Sequence, residues 1–183
     1  MSERSTYTAF AGNSLLASGH LSAVIPALKA QVEAAAPAPV LVFEDRSGRA
    51  VDFDLRGTVE EAIARALPPV RTGPGRPLLG VVSREISLLP RHWEWLELQP
   101  NGASAALRRL VDQARTQDQG ATSARLALEA AGRFMTGIGG DFPGYQEALR
   151  ALYARDRTRL EQLIADWPED VRQHILRLLD GAA

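Results

Sequence analysis

The residues able to do chemistry are few and scattered. His20, His92 and His174 are the only histidines in the 183-residue chain, and cysteine is absent. That removes any disulfide framework, thiol nucleophile or thiolate metal site. No histidine has a second ligand at helical spacing, so the sequence predicts no metal centre. Asp52 and Asp54 share one face of an alternating run, with Glu44 and Asp45 across a turn from them. Four clustered carboxylates can do acid–base work or hold a cation, but charged strand edges that discourage edge pairing give the same pattern. Gly137-Ile138-Gly139-Gly140 has the composition of a phosphate loop. It follows a helical run, however, whereas a phosphate-cradling loop precedes a helix. It therefore reads as a helix C-cap. No Ser/His/Asp arrangement has the local context of a nucleophile. The expectation is a non-enzymatic protein with no cofactor.

Richer patterning lies between residues 75 and 115. Residues 82–88 alternate, with Val82, Ile86 and Leu88 on one face and Ser83, Glu85 and Ser87 on the other; Arg84 breaks the apolar side. Pro90 suits the first turn of a helix that carries Trp93, Leu96 and Trp95 inward. Pro100-Asn101-Gly102 ends that helix, and Ser104 reads as the N-cap of the next. There Leu107, Leu110, Val111 and Ala114 fall at i, i+3, i+4 and i+7. A lone seven-residue strand needs a partner, either the sheet of the same chain or the same strand of a second copy. Although the whole chain has a net charge of only −1, residues 71–115 carry seven arginines against four acids. This local excess fits nucleic acid, and it also fits ordinary scatter.

In this order of elements the block resembles the ribbon-helix-helix family of bacterial DNA-binding proteins. Ile86-Ser87-Leu88, the Trp93/Leu96 pair, Gly102, Ser104 and Leu107/Leu110/Val111 carry the likeness. The resemblance implies a homodimer whose paired strands enter the major groove of DNA. Ser83, Glu85 and Ser87 would then face base edges, although the charge of Glu85 repels phosphate. Ser104 would offer backbone amides to a phosphate, and Arg91 and Arg108 would add phosphate contacts. Gly75-Arg76-Pro77 is the core tripeptide of a minor-groove hook, which makes Arg76 a further DNA-contacting residue. Pro74 and Leu78 stand where such a hook has basic flanks, so an ordinary loop is the other reading. The alternative function is a protein–protein interaction or dimerisation module with no nucleic-acid binding, docking through Trp93 and Trp95. A second resemblance, to an uncharacterised bacterial family of unknown function, spans nearly the whole chain. It rests on the block GRPLLGVVSREISLLPRHWEWLELQPNGASAALRRLVDQA and the tail RFMTGIGGDFPGYQEALRALYARD. It implies no activity.

The elements that must position these residues suggest an α+β chain. Residues 7–18 read as a hairpin around Gly12-Asn13. Ser22 caps a helix that runs to about 35 and buries Val24, Ile25, Leu28 and Val32. Runs 40–44 and 50–55 form a second hairpin, and Thr58-Val59-Glu60-Glu61 is a capping box opening a helix to about 67. The expected organisation is a small α/β unit over 1–67, a Pro/Gly linker over 68–77, the ribbon-helix-helix-like element over 78–115 and a helical tail over 121–183. In the tail, Asp156 reads as one cap, and Trp167 before Pro168 as a hydrophobic staple. An apolar fraction of 45%, no long apolar run and a polar start suit a cytoplasmic protein without membrane attachment.

Overall fold

A computed structural model describes residues 5–34, 38–67, 84–118 and 120–181. The chain divides into two compact units: Met1–Pro68 with Thr122–Ala183, and Pro69–Ala121. The N-terminal α/β segment and the C-terminal helices thus belong to one body, and the fold class is α+β. Among the described residues no helix is long and apolar enough to cross a membrane.

In the first unit, β1 (Tyr7–Ala11) and β2 (Ser14–Gly19) form the expected hairpin, with Gly12 at φ 59° in the turn. β3 (Val40–Glu44) and β4 (Arg49–Ala50) complete an antiparallel sheet of order β2-β1-β3-β4. β4 stops well short of the predicted run 50–55. After Val51 donates to the Val42 carbonyl at 2.8 Å, the chain leaves the ladder, and Phe53 and Leu55 pack with the residues of α1 (Leu21–Glu33). Lys29 Nζ holds this departure by donating to the carbonyls of Leu55 and Gly57.

Helix α1 starts two residues earlier than predicted, with His20 in place of Ser22 as its cap and no side-chain bond there. Its apolar stripe is therefore Leu21, Val24, Ile25 and Leu28, and Val32 is left 65% exposed. α2 (Val59–Ala66) has the predicted capping box: Thr58 Oγ1 accepts from the Glu61 amide, and the Glu61 carboxylate accepts from the Thr58 amide.

Alternation along β1 and β3 makes both sheet faces apolar. Ala9 lies opposite Val42, and both meet Val24 and Leu28 of α1. Phe10, next along β1, and Phe43 of β3 instead enter the core of α5 (Ala121–Ile138), α6 (Tyr145–Tyr153), α7 (Arg157–Leu163) and α8 (Glu169–Asp180). Their ring centroids lie 5.3 and 4.9 Å from Phe134, with Met135, Leu152, Leu160 and Ile175 around them. Asp156 caps α7 by accepting from the Arg159 amide, as predicted. Trp167 is buried, but its ring partner is Phe142, and its Nε1 donates to the Pro143 carbonyl.

The second unit contains α3 (Pro90–Glu97) and α4 (Gly102–Gln117). The strand expected over 82–88 is not formed where it can be followed: residues 84–89 carry no strand, and 82–83 lie outside the described residues. Alternation selects a strand only where a ladder partner exists, and no described residue pairs with this segment. Ser104 is not an N-cap. α4 begins two residues earlier, after a tight turn in which the Gly102 amide bonds to the Gln99 carbonyl and Asn101 adopts φ 64°. Asparagine tolerates that left-handed conformation, so the turn closes sooner than a serine cap would allow.

Candidate functional site

Of the seven sequence-predicted DNA contacts, five lie among the described residues. Arg76 and Ser83 lie outside the described residues. Glu85 and Ser87 are exposed on the segment before α3 that forms no strand. Arg91 is exposed in the first turn of α3, Ser104 is exposed in the first turn of α4, and Arg108 is exposed further along α4. Across 84–118 five arginines stand against five acids, and within that stretch the positive charge gathers on α4.

These helices instead leave apolar side chains uncovered. Leu96 and Ala106 are the residues buried in α3 and α4. Trp93 and Trp95 do not turn inward, and Trp95 remains 48% exposed. Leu98 at the end of α3 is 83% exposed and Val111 of α4 is 56% exposed, with Ile86, Leu89 and Leu110 also open. One short helix can sink one side chain into a single partner helix, and the described residues of this unit supply no third layer for the rest. Leu88, Arg91, His92, Trp95, Leu96, Leu107 and Leu110 line an open apolar groove of about 450 Å³. The two helices differ in charge: α3 carries Arg91 against Glu94 and Glu97, and α4 carries Arg108, Arg109 and Arg115 against Asp112.

The expected carboxylate cluster does not form. In the β3–β4 register Glu44 faces Arg49 and Phe43 faces Ala50, so Asp52 and Asp54 are not brought opposite Glu44 and Asp45. Asp54 pairs with Arg56 at 2.7 Å and Arg65 at 3.4 Å, and the Arg56 bond holds its carboxyl well below the usual carboxylate range. Glu44 accepts from Ser47 Oγ. No group of three or more His, Asp or Glu able to hold a metal occurs among the described residues.

Asp45 has partners that sequence spacing does not reveal. Thr8 Oγ1 donates to its Oδ1 at 2.7 Å, and that same oxygen lies 4.0 Å from His174 Nε2 on α8. His174 is 1% exposed, and neither ring nitrogen has a hydrogen-bond partner. Its ring stands edge-on between Phe134, at 4.4 Å, and Phe10, at 5.6 Å. Burial pushes the imidazole down to about 4, Asp45 pulls it up and Arg177 pushes it further down. Asp45 and His174 are 129 positions apart and meet only because α8 packs on the sheet. The one sequence signal is that His174 lies between Val171 and Leu178 on the apolar stripe of its helix.

No curated protein and no solved structure matches this chain. A family described as "uncharacterized protein conserved in bacteria" (DUF2239) matches residues 6–179, and the chain belongs to that family.

Proposed function

We propose that the second unit is a non-enzymatic self-association module, through which two copies of the chain join by their α3–α4 faces. One observation carries this reading: the helices bury only Leu96 and Ala106 and leave Trp95, Leu98 and Val111 about half exposed or more. Contiguous apolar surface of this kind marks an association site. A second copy fits the charge pattern. In a two-fold arrangement α3 of one protomer lies on α4 of the other, bringing Glu94 and Glu97 toward Arg108, Arg109 and Arg115. The groove beside Trp95 would receive the partner's apolar side chains.

Major-groove reading by a paired ribbon gains no comparable support, since residues 84–89 form no strand. Light scattering on the full chain tests the proposal. A dimer at tens of micromolar is expected, and Trp95→Glu, at an exposed position, should weaken association by at least about a hundredfold. A wild-type monomer at that concentration overturns it. Binding to a DNA duplex that survives Trp95→Glu and falls with Arg108→Ala would return the unit to nucleic-acid recognition.

A further inference from the structure

A cleft of about 520 Å³ in the first unit has the size of a small-molecule site and joins features that the association of α3 and α4 does not use. Thr6 and Asp45 lie on one side, Ser123, Leu126 and Ala127 of α5 on another, and His174, Arg177 and Leu178 of α8 on the third. Arg46 completes the lining from the β3–β4 turn.

We propose that this cleft binds a small organic anion, a carboxylate or a phosphate ester, with Arg46 and Arg177 holding the charged group and Leu126, Ala127 and Leu178 receiving an apolar body. Two independent observations meet here. Both arginines are exposed at the cleft and neither forms an ion pair among the described residues, whereas Arg56, Arg133, Arg157 and Arg172 each have an acid; Arg177 Nη1 donates to Ser18 Oγ at 3.3 Å, a neutral partner. Guanidinium forks without an acid suit planar carboxylate and phosphate oxygens. The second observation is His174, whose buried nitrogens have no hydrogen-bond partner among the described residues. A buried polar group without a partner costs folding free energy, and a site that uses it explains its retention. Neutral imidazole carries one donor and one acceptor without adding charge, and the ring forms part of the cleft wall. Asp45 supplies the single opposing charge, and its Oδ1 is already engaged by Thr8.

The experiment uses the full chain with three probes of one shape: benzoate, phenyl phosphate and uncharged benzyl alcohol. Calorimetry and the His174 ring signals in NMR provide the readouts. Saturable binding of either anion, with no binding of benzyl alcohol, is expected. Arg46→Ala and Arg177→Ala should each weaken it by about tenfold or more. Arg49→Ala removes an exposed arginine of the same turn that does not line the cleft, so it should leave binding unchanged. Which anion binds tells a carboxylate ligand from a phosphate ester. The proposal is overturned if neither anion saturates by roughly 10 mM. It is equally overturned if benzyl alcohol binds as well as the anions, if Arg46→Ala and Arg177→Ala bind like wild type, or if Arg49→Ala loses as much as they do.

Discussion

Protonating His174 would place a charge between Phe10 and Phe134, beside Arg177, with only Asp45 to offset it. The folded protein therefore keeps the ring neutral down to about pH 4, while the unfolded chain takes up its proton near 6.5. Between those values the unfolded state binds the extra proton, so stability is full above pH 6.5 and falls as pH drops toward 4. The loss from this one group is at most about 3 kcal/mol, from 1.36 kcal/mol per unit. Denaturant midpoints measured from pH 7 to 4 should show it in wild type. The difference between wild type and His174→Gln, which keeps a polar side chain without titration, isolates it from carboxylates protonating in the same range. An unchanged difference across the window would show that His174 is charged in the fold. The sequence placed His174 on a stripe but not beside Asp45, because helical and strand periodicities report the face of an element and not which faces meet. The same limit left Trp93 and Trp95 with two readings, an inward face and a docking surface.

Elements with local causes were legible. The Gly12-Asn13 hairpin, the Thr58 capping box and the Asp156 cap each depend on residues within a few positions, and each is found. Thr58→Ala should cost about 1 kcal/mol and fray α2, measurable as faster amide exchange over 59–62. The β3–β4 turn shows what local reasoning misses. It was readable as a turn from Asp45-Arg46-Ser47-Gly48, but not as the place where the sheet meets α5. Gly48 has φ +65°, and a Cβ there would collide with the backbone carbonyl of Ala130, while Arg133 Nη1 donates to the Ser47 carbonyl at 2.8 Å. Gly48→Ala should therefore lose more than the roughly 1–2 kcal/mol of left-handed backbone strain alone. Gly12→Ala, also left-handed but with only the Ala38 side chain within reach, should lose about that strain and no more. Equal urea midpoints for the two variants would mean that the Gly48 contact does not hold the turn against α5. The strand predicted over 82–88 failed for the opposite reason. Its alternation was real, but a strand is completed by its neighbour, and no described residue supplies one.

At the scale of the molecule the two units have unequal means of staying folded. The first closes a sheet between two helical layers, with Phe10, Phe43, Phe134 and Trp167 buried. The second has, among its described residues, a helix pair with two buried residues and depends, in the proposed dimer, on a partner. A chain segment of that size has little surface to remove from water alone, so association supplies what its own core lacks. Denaturation followed at several protein concentrations should then show two steps. The lower, reporting loss of α3 and α4, should move to higher denaturant as concentration rises, by about 1.4 kcal/mol for each tenfold increase, because dimer formation is linked to folding by mass action. The upper step, reporting the first unit, should not move. Trp95→Glu should bring the lower step down and remove its concentration dependence, leaving the upper step unchanged. Hydrogen exchange assigns each step to its helices. A single step independent of concentration would mean that the second unit draws its stability from elsewhere in the chain, and its exposed tryptophans would then need a different occupant.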